Sequence, residues 1–277
     1  MNRIQDIARK ALTSSKAKIM RLPLLLKYYR IKAHLLRSEP LLIPPGEEGD
    51  ILVAQELTKL AAIFGEGVYW TGVQVHKRRF LFPFLDKAAS WIRESCSPQS
   101  QILDICGGCG NLGLELSRYG FSNYHLADID DIRMRWGELL WLRFGLQLNW
   151  HRESVLSMTF ESNRFDVLTL LGWEAASLPY SYTLKECHRV IKPGGVIVFT
   201  YHDIEGIVEG NWDFDPDRRY SYLPYSISQI AIKTLIERIG FQWIRSEIAG
   251  HGYTYKAFFP DQERRQFPQY IAMAVKN

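Results

Sequence analysis

Cysteine is scarce: Cys96, Cys106, Cys109 and Cys187 are the only four in 277 residues. That is too few for a disulfide scaffold in a chain this long, so a reducing, cytoplasmic setting is expected. Long apolar runs are missing as well. The run Leu22–Leu26 already contains Pro23, and nothing approaches the ~18 residues of a membrane span. No secretory leader pattern is visible at the start. Acidic residues are nearly absent from residues 1–37, where ten Lys/Arg face a single acid, Asp6, for a net charge of +9. The other 240 residues carry 24 basic and 29 acidic groups, net −5, which argues against a nucleic-acid partner for the body of the protein. Its hydrophobic content of 47% excludes disorder as the main state.

The first hundred residues read as helices. Ile4, Ile7, Ala8, Ala11 and Leu12 recur at helical spacing, and Leu24, Leu25, Tyr28, Tyr29 and Leu35 continue the pattern past Pro23. Ser38–Asp50, with three prolines and two glycines, reads as a linker. Helices are expected over about 51–64 and 79–94. The arm 1–37 reads as a helical cap over the site or a homodimer element, with a membrane-surface helix or a basic, acid-poor transit peptide as the alternatives.

From residue 101 short apolar runs alternate with amphipathic stretches, the pattern of a wound parallel sheet. Strands are expected at 101–105, 123–128, 165–171, 195–200, 242–248 and 269–275, with a seventh within 148–156. Helices are expected at about 111–119, 131–144, 181–191 and 227–239. Gly120, Gly145 and Gly240 stand where left-handed C-caps belong, and Ser226 with Gln229 forms a capping box. The division expected is a helical extension, 1–95, and an α/β domain, 96–277, with an insertion at about 201–225.

The informative segment is Ile102-Leu103-Asp104-Ile105-Cys106-Gly107-Gly108-Cys109-Gly110-Asn111-Leu112-Gly113. A buried strand enters a glycine turn and leaves in a helix, so backbone N–H groups face a ligand. Gly108-x-Gly110-x-x-Gly113 fits a dinucleotide fingerprint, with Asp128 18 residues beyond Gly110. Cys106-Gly107-Gly108-Cys109 fits a redox or metal pair, but Cys96 and Cys187 supply no second pair at zinc spacing, and no metal is expected. Asp104 discriminates between these readings. A strand-end carboxylate is costly to bury unless something pairs with it, and an anionic pyrophosphate has no use for it.

This arrangement resembles motif I of the class I S-adenosylmethionine-dependent methyltransferases, with Cys106 where the first glycine is commonest. Asp128 in Leu126-Ala127-Asp128 resembles the family's ribose-binding acid. Phe165-Asp166-Val167, Arg189-Val190-Ile191-Lys192-Pro193-Gly194-Gly195 and Ile239-Gly240-Phe241 resemble its later elements in the right order. The resemblance covers about 100–277. It implies a Rossmann-like α/β fold with a seven-stranded, mostly parallel sheet, helices on both faces and an N-terminal helical cap. It also implies S-adenosyl-L-methionine as cofactor, held by Asp104, Cys106, Gly107, Gly108, Gly110, Asp128, Ile129, Glu153, Ser154 and Leu171.

Methyl transfer from a sulfonium is an in-line displacement, so a base belongs at the carboxyl ends of the strands. His202 is the leading candidate, with Asp203 or Glu174 to orient it or to act instead. Tyr69, Trp70, Trp173, Tyr201, Trp212, Arg218 and Arg219 are read as acceptor-site residues, the arginines for a carboxylate or phosphate. The expected acceptor is a small aromatic or hydrophobic molecule, methylated on oxygen or nitrogen. The alternatives are an NAD(P)-dependent oxidoreductase using the same turn and a non-catalytic binding module.

Overall fold

The computed structural model describes residues 26–44, 47–64, 84–173, 179–202, 227–253 and 266–277. The elements, in chain order, begin with three helices: α1 (26–35), α2 (Glu47–Phe64) and α3 (Phe84–Ser95). Then follow β1 (Ile102–Ile105), α4 (Asn111–Ser117), β2 (Tyr124–Asp128), α5 (Asp131–Arg143), β3 (Asn149–Arg152) and β4 (Phe165–Leu170). The chain continues with α6 (Tyr180–Val190), β5 (Ile191–His202), α7 (Gln229–Ile239), β6 (Phe241–Tyr253) and β7 (Gln266–Lys276).

The seven strands form one sheet in the order β3-β2-β1-β4-β5-β7-β6. The first five run parallel, and β7 lies antiparallel between β5 and β6. All four residues of β1 are buried, as a central parallel strand covered on both faces requires. One face packs under α3, α4 and α5, through residues such as Trp91, Ile92, Leu112, Leu139 and Trp141. The other packs under α6 and α7, through Leu184, Cys187, Ile232 and Ile236. The expected Rossmann-like α/β architecture is what the chain forms.

Boundaries differ where local chemistry outweighs punctuation. Helix α2 starts at Glu47 inside the expected linker, so Glu47–Asp50 belong to a helix. The acids Glu47, Glu48 and Asp50 suit a helix start, where the backbone dipole is positive. Helix α7 is capped by Ser228, whose side chain accepts from Ala231 N–H at 3.2 Å, rather than by Ser226, which lies outside the described residues. Lys192-Pro193-Gly194-Gly195 turns within β5 itself, at a bulge between the Phe165–Ile191 and Val167–Val196 pairings. Gly194 there has φ +75, as a type II turn requires.

Helix α5 carries the N-terminal helices. Lys32 pairs with Glu138 at 2.5 Å, the Tyr28 hydroxyl donates to Glu138, and Arg143 meets Glu56 at 2.8 Å. Tyr28, Val53 and Leu60 join the core beneath α5. Among the described residues no helix is long and apolar enough to cross a membrane.

Candidate cofactor site at the carboxyl ends of the strands

The strand order reverses between β1 and β4, and crevices at such a switch are where open α/β sheets take ligands. The glycine turn occupies this position. It leaves β1 with Cys106 N–H bonded to Ala127 O at 2.8 Å and closes on itself with Gly110 N–H to Gly107 O at 3.0 Å. Cys106, Gly108 and Gly110 all have positive φ, at 62°, 59° and 75°. Cys106 is an L-residue in the left-handed region, a conformation that costs a non-glycine residue about 1 kcal/mol or more. Its thiol is pushed up by burial and by the charges of Asp128 and Asp104. It is a turn residue rather than a ready nucleophile.

The turn is fitted from below. A Cβ on Gly107 would lie 2.2 Å from Asp104 Oδ2, so this residue has to be glycine. Above Gly108 there is open space: a Cβ would meet nothing within 4 Å. Asp128, at the end of β2, accepts from Gly108 N–H at 3.1 Å through Oδ2 and from Asp130 N–H at 2.9 Å through Oδ1. Asp130 in turn caps α5, its Oδ1 accepting from Arg133 N–H at 3.3 Å. Ile129, next to Asp128, is 61% exposed.

Asp104 is 3% exposed, and both its oxygens are engaged inside the protein. Thr169 on β4 donates to Oδ1 at 2.6 Å, and the Tyr124 hydroxyl on β2 donates to Oδ2. Burial raises its carboxyl to about 6, against these two hydrogen bonds and with the help of the Asp128 charge. No local signal in the sequence marks either partner, since β2 also carries His125 and Asp128 and β4 also carries Asp166.

Glu153 and Ser154 follow β3, as expected, but make a self-contained turn. Glu153 accepts from the Thr159 hydroxyl and N–H, and Ser154 Oγ accepts from Leu156 N–H at 3.3 Å. Leu171 closes the end of β4 and is buried.

Two acceptor-site expectations are corrected. Trp173 is 1% exposed, donates its indole N–H to Thr200 O at 2.8 Å and packs edge-on against Tyr180. Tyr201 is fully buried, stacks on Tyr270 and bonds Ser246 through its hydroxyl at 2.9 Å. Both are core residues, because an aromatic ring in or beside a buried strand has more surface to bury than a pocket wall offers. His202 ends β5, paired in register with Gln269, but its side chain is outside the described residues. So are Tyr69, Trp70, Glu174, Asp203, Trp212, Arg218 and Arg219.

A sheet of this order, with a glycine turn after β1 and an acid after β2, defines the methyltransferase form of the doubly wound fold. In sequence over part of its length and in fold, the chain is similar to S-adenosylmethionine-dependent methyltransferases. A family model described as a methyltransferase domain matches residues 102–195. The ubiquinone/menaquinone biosynthesis C-methyltransferase UbiE of Zymomonas mobilis is 30% identical over 95 residues, 34% of this chain and 39% of that one. The demethylmenaquinone methyltransferase of Bacteroides fragilis is 28% identical over 183 residues, 57% of this chain and 74% of that one. The chain thus spans well under half the length of the first of these relatives. The fold is shared with the Burkholderia thailandensis 1,6-didemethyltoxoflavin-N1-methyltransferase solved with S-adenosylhomocysteine. Its TM-score is 0.52 at 15% identity, over 87% of this chain and 93% of that one.

Proposed function

We propose that this protein is an enzyme that transfers a methyl group from S-adenosylmethionine to a small-molecule acceptor. The observation that carries the reading is the pairing of Asp128 with Gly108 N–H beside open space above the turn. The donor set fits the cofactor. Asp128 keeps lone pairs for ribose hydroxyls, the Gly108 face lets a ligand approach the backbone, and exposed Ile129 offers an apolar surface for a flat base. The Asn111 Oδ1 atom, buried at the start of α4, has no hydrogen-bond partner among the described residues. It is an acceptor suited to an ammonium or hydroxyl donor. When bound, the cofactor supplies a methyl group on a positively charged sulfur.

The chain's own contribution is alignment. In-line displacement needs donor, methyl and acceptor atom held in one line with water excluded, and a rigid sheet edge provides that. Thr200 fixes the β4 and β5 ends together by accepting from Gly172 N–H at 2.8 Å through Oγ1 and from the Trp173 indole at 2.8 Å through its carbonyl. His202 follows two residues later on β5. It serves as the base that takes the acceptor proton, with Asp203 or Glu174 orienting it.

The acceptor is a small aromatic or hydrophobic molecule methylated on oxygen or nitrogen, and Tyr69, Trp70, Trp212, Arg218 and Arg219, which lie outside the described residues, are the candidates to bind it. A carbon acceptor is the second reading, favoured by the curated relatives named as quinone-pathway C-methyltransferases. The helical extension 1–95 is read as a cap, and its basic arm 1–37 as part of that cap or a dimer element, with a membrane-surface contact as the alternative. The test is incubation with methyl-labelled S-adenosylmethionine and phenols, aromatic amines and demethylated quinones, read by mass spectrometry. A mass gain of one methyl on a phenol or amine supports the first reading. A gain on quinone ring carbon supports the second, and no transfer to any component of a cell extract overturns both.

A further inference from the structure

Asp104, Tyr124 and Thr169 form a buried hydrogen-bonded group beneath the glycine turn. The Tyr124 hydroxyl donates to Asp104 Oδ2, and Thr169 donates to Asp104 Oδ1 at 2.6 Å. One carboxylate thus ties β1, β2 and β4 together. The Tyr124 ring stacks on Trp141 of α5, with centroids 5.4 Å apart. Trp141 and Tyr124 together leave no room at Gly113, where a Cβ would come within 2.5 Å of either ring. The Trp141 indole also lies under Gly110, whose Cβ would stand 3.2 Å from Nε1, and a Cβ at Gly137 of α5 would stand 2.5 Å from Cys109 O. Gly107 therefore sits against Asp104 and Gly110 against Trp141, whereas Gly108 faces the open side.

Two further observations separate this from ordinary core packing. A carboxylate, a phenol and a threonine hydroxyl in a region of apolar strands carry a desolvation cost that three apolar side chains would avoid. The turn above them also holds Cys106, a non-glycine residue, at positive φ, a conformation that persists only where the surroundings over-determine it.

We propose that Tyr124 is a positioning residue for the cofactor turn: through its hydrogen bond to Asp104, against which Gly107 packs, it holds Gly107–Gly110 in the geometry that receives the ligand. The inference rests on the cofactor reading above only for the identity of that ligand. Tyr124→Phe keeps the ring and its stacking on Trp141 and removes only the hydroxyl, so a merely structural ring would leave the turn unchanged.

The test has two readouts on the full chain. In amide hydrogen exchange of the free protein, Tyr124→Phe is expected to speed exchange over 106–113 by about tenfold or more while β5 and β7 keep their protection. In calorimetry with S-adenosylhomocysteine, its Kd is expected to rise about tenfold. The pH at which binding changes is expected to move up by about half a unit, because Asp104 loses a donor to its charged form. The other titratable groups facing Asp104 are Asp128 from the end of β2 and the Cys106 thiol from the turn; Thr169 is neutral. If Tyr124→Phe does not fold, Asp104→Asn and Asp104→Asn/Tyr124→Phe are compared, since removing the buried charge relieves the uncompensated acceptor. The hydroxyl should then matter less than about twofold, and a full tenfold loss in that background overturns the role of this hydrogen bond. Wild-type exchange over 106–113 in Tyr124→Phe overturns the proposal. Failure of the unmodified protein to bind S-adenosylhomocysteine overturns the cofactor reading instead, and the exchange result alone then decides the positioning role.

Discussion

The Asp128 carboxylate reaches from the end of β2 to the Gly108 N–H, 3.1 Å away, and so ties the end of that strand to the glycine turn. One side chain thereby serves two purposes, orienting the turn and presenting lone pairs to a ligand. Asp128→Ala is expected to weaken S-adenosylhomocysteine binding about 30-fold or more, since hydrogen bonds to a charged acceptor and the order of the turn are lost together. Asp128→Asn, which keeps a carbonyl acceptor, should lose less. Equal affinities for Asp128→Ala and the unmodified protein, measured by calorimetry, would contradict the assignment.

The two central glycines of the turn should fail differently. Gly107→Ala drives a methyl into the Asp104 carboxylate and is expected to cost about 1–3 kcal/mol of stability even without ligand. Gly108→Ala meets no atom within 4 Å and pays only for its φ of +59, about 1 kcal/mol, but its methyl enters the space where the ligand belongs. Denaturant unfolding and ligand titration on both variants check the contrast. It fails if Gly108→Ala loses more stability than Gly107→Ala or binds as tightly as the unmodified protein.

Much of this was legible in the sequence, and the limits have physical causes. The apolar runs of β1, β2 and β4 and the glycines after β1 are local signals, so the fold and the turn could be read directly. Strand β3 could be placed only within 148–156, because Asn149-Trp150-His151-Arg152 is a short edge strand without an apolar run. The partners of Asp104 were not readable: Thr169 lies 65 residues away, and only the β1–β4 register brings it opposite. Trp173 and Tyr201 misled because aromatic residues at strand ends look the same whether they line a pocket or fill a core.

Asp104 gives a pH prediction. Its folded carboxyl sits at about 6, above its ordinary value of 3.8, chiefly through burial. A raised carboxyl pKa means the folded state holds its proton longer. This contribution is complete below pH 4 and is lost as pH rises through 6. Asp104→Asn, which carries no charge to bury, should therefore gain stability relative to the unmodified protein between pH 4 and 7, by up to about 3 kcal/mol. Unfolding curves across that range decide the point; a gain that shrinks as pH rises contradicts it.

His125 and His151 pair across β2 and β3, their ring nitrogens 3.0 Å apart. Burial, the neighbouring His151 and Arg164 hold His125 down at about 4, and burial with Arg164 lowers His151 against the pull of Glu153. Both should be neutral at pH 7. Their contribution to stability is then present above about 6.5 and is lost as pH falls toward 4. Imidazole NMR titration should show no His125 midpoint between pH 5.5 and 8, and a midpoint there would show the ring to be solvated.

Lys276 closes the far end of the fold. Its buried ammonium donates to Asn163 Oδ1 at 2.7 Å and to the carbonyls of His188 and Ile191 at 2.8 Å each, stapling β7 to the end of α6. Lys276→Met leaves those acceptors without their donor and is expected to cost about 2 kcal/mol with ligand affinity unchanged. Chemical denaturation alongside a ligand titration checks both halves, and an unchanged midpoint contradicts the first.

Binding of S-adenosylmethionine at the turn after β1 is the point on which the proposed function stands. Calorimetric titration of the full chain with S-adenosylhomocysteine and, separately, with NADH decides it. One molecule of S-adenosylhomocysteine is expected to bind per chain, weakened by Asp128→Ala, with no heat from NADH. Saturable binding of NADH with none of S-adenosylhomocysteine would contradict it.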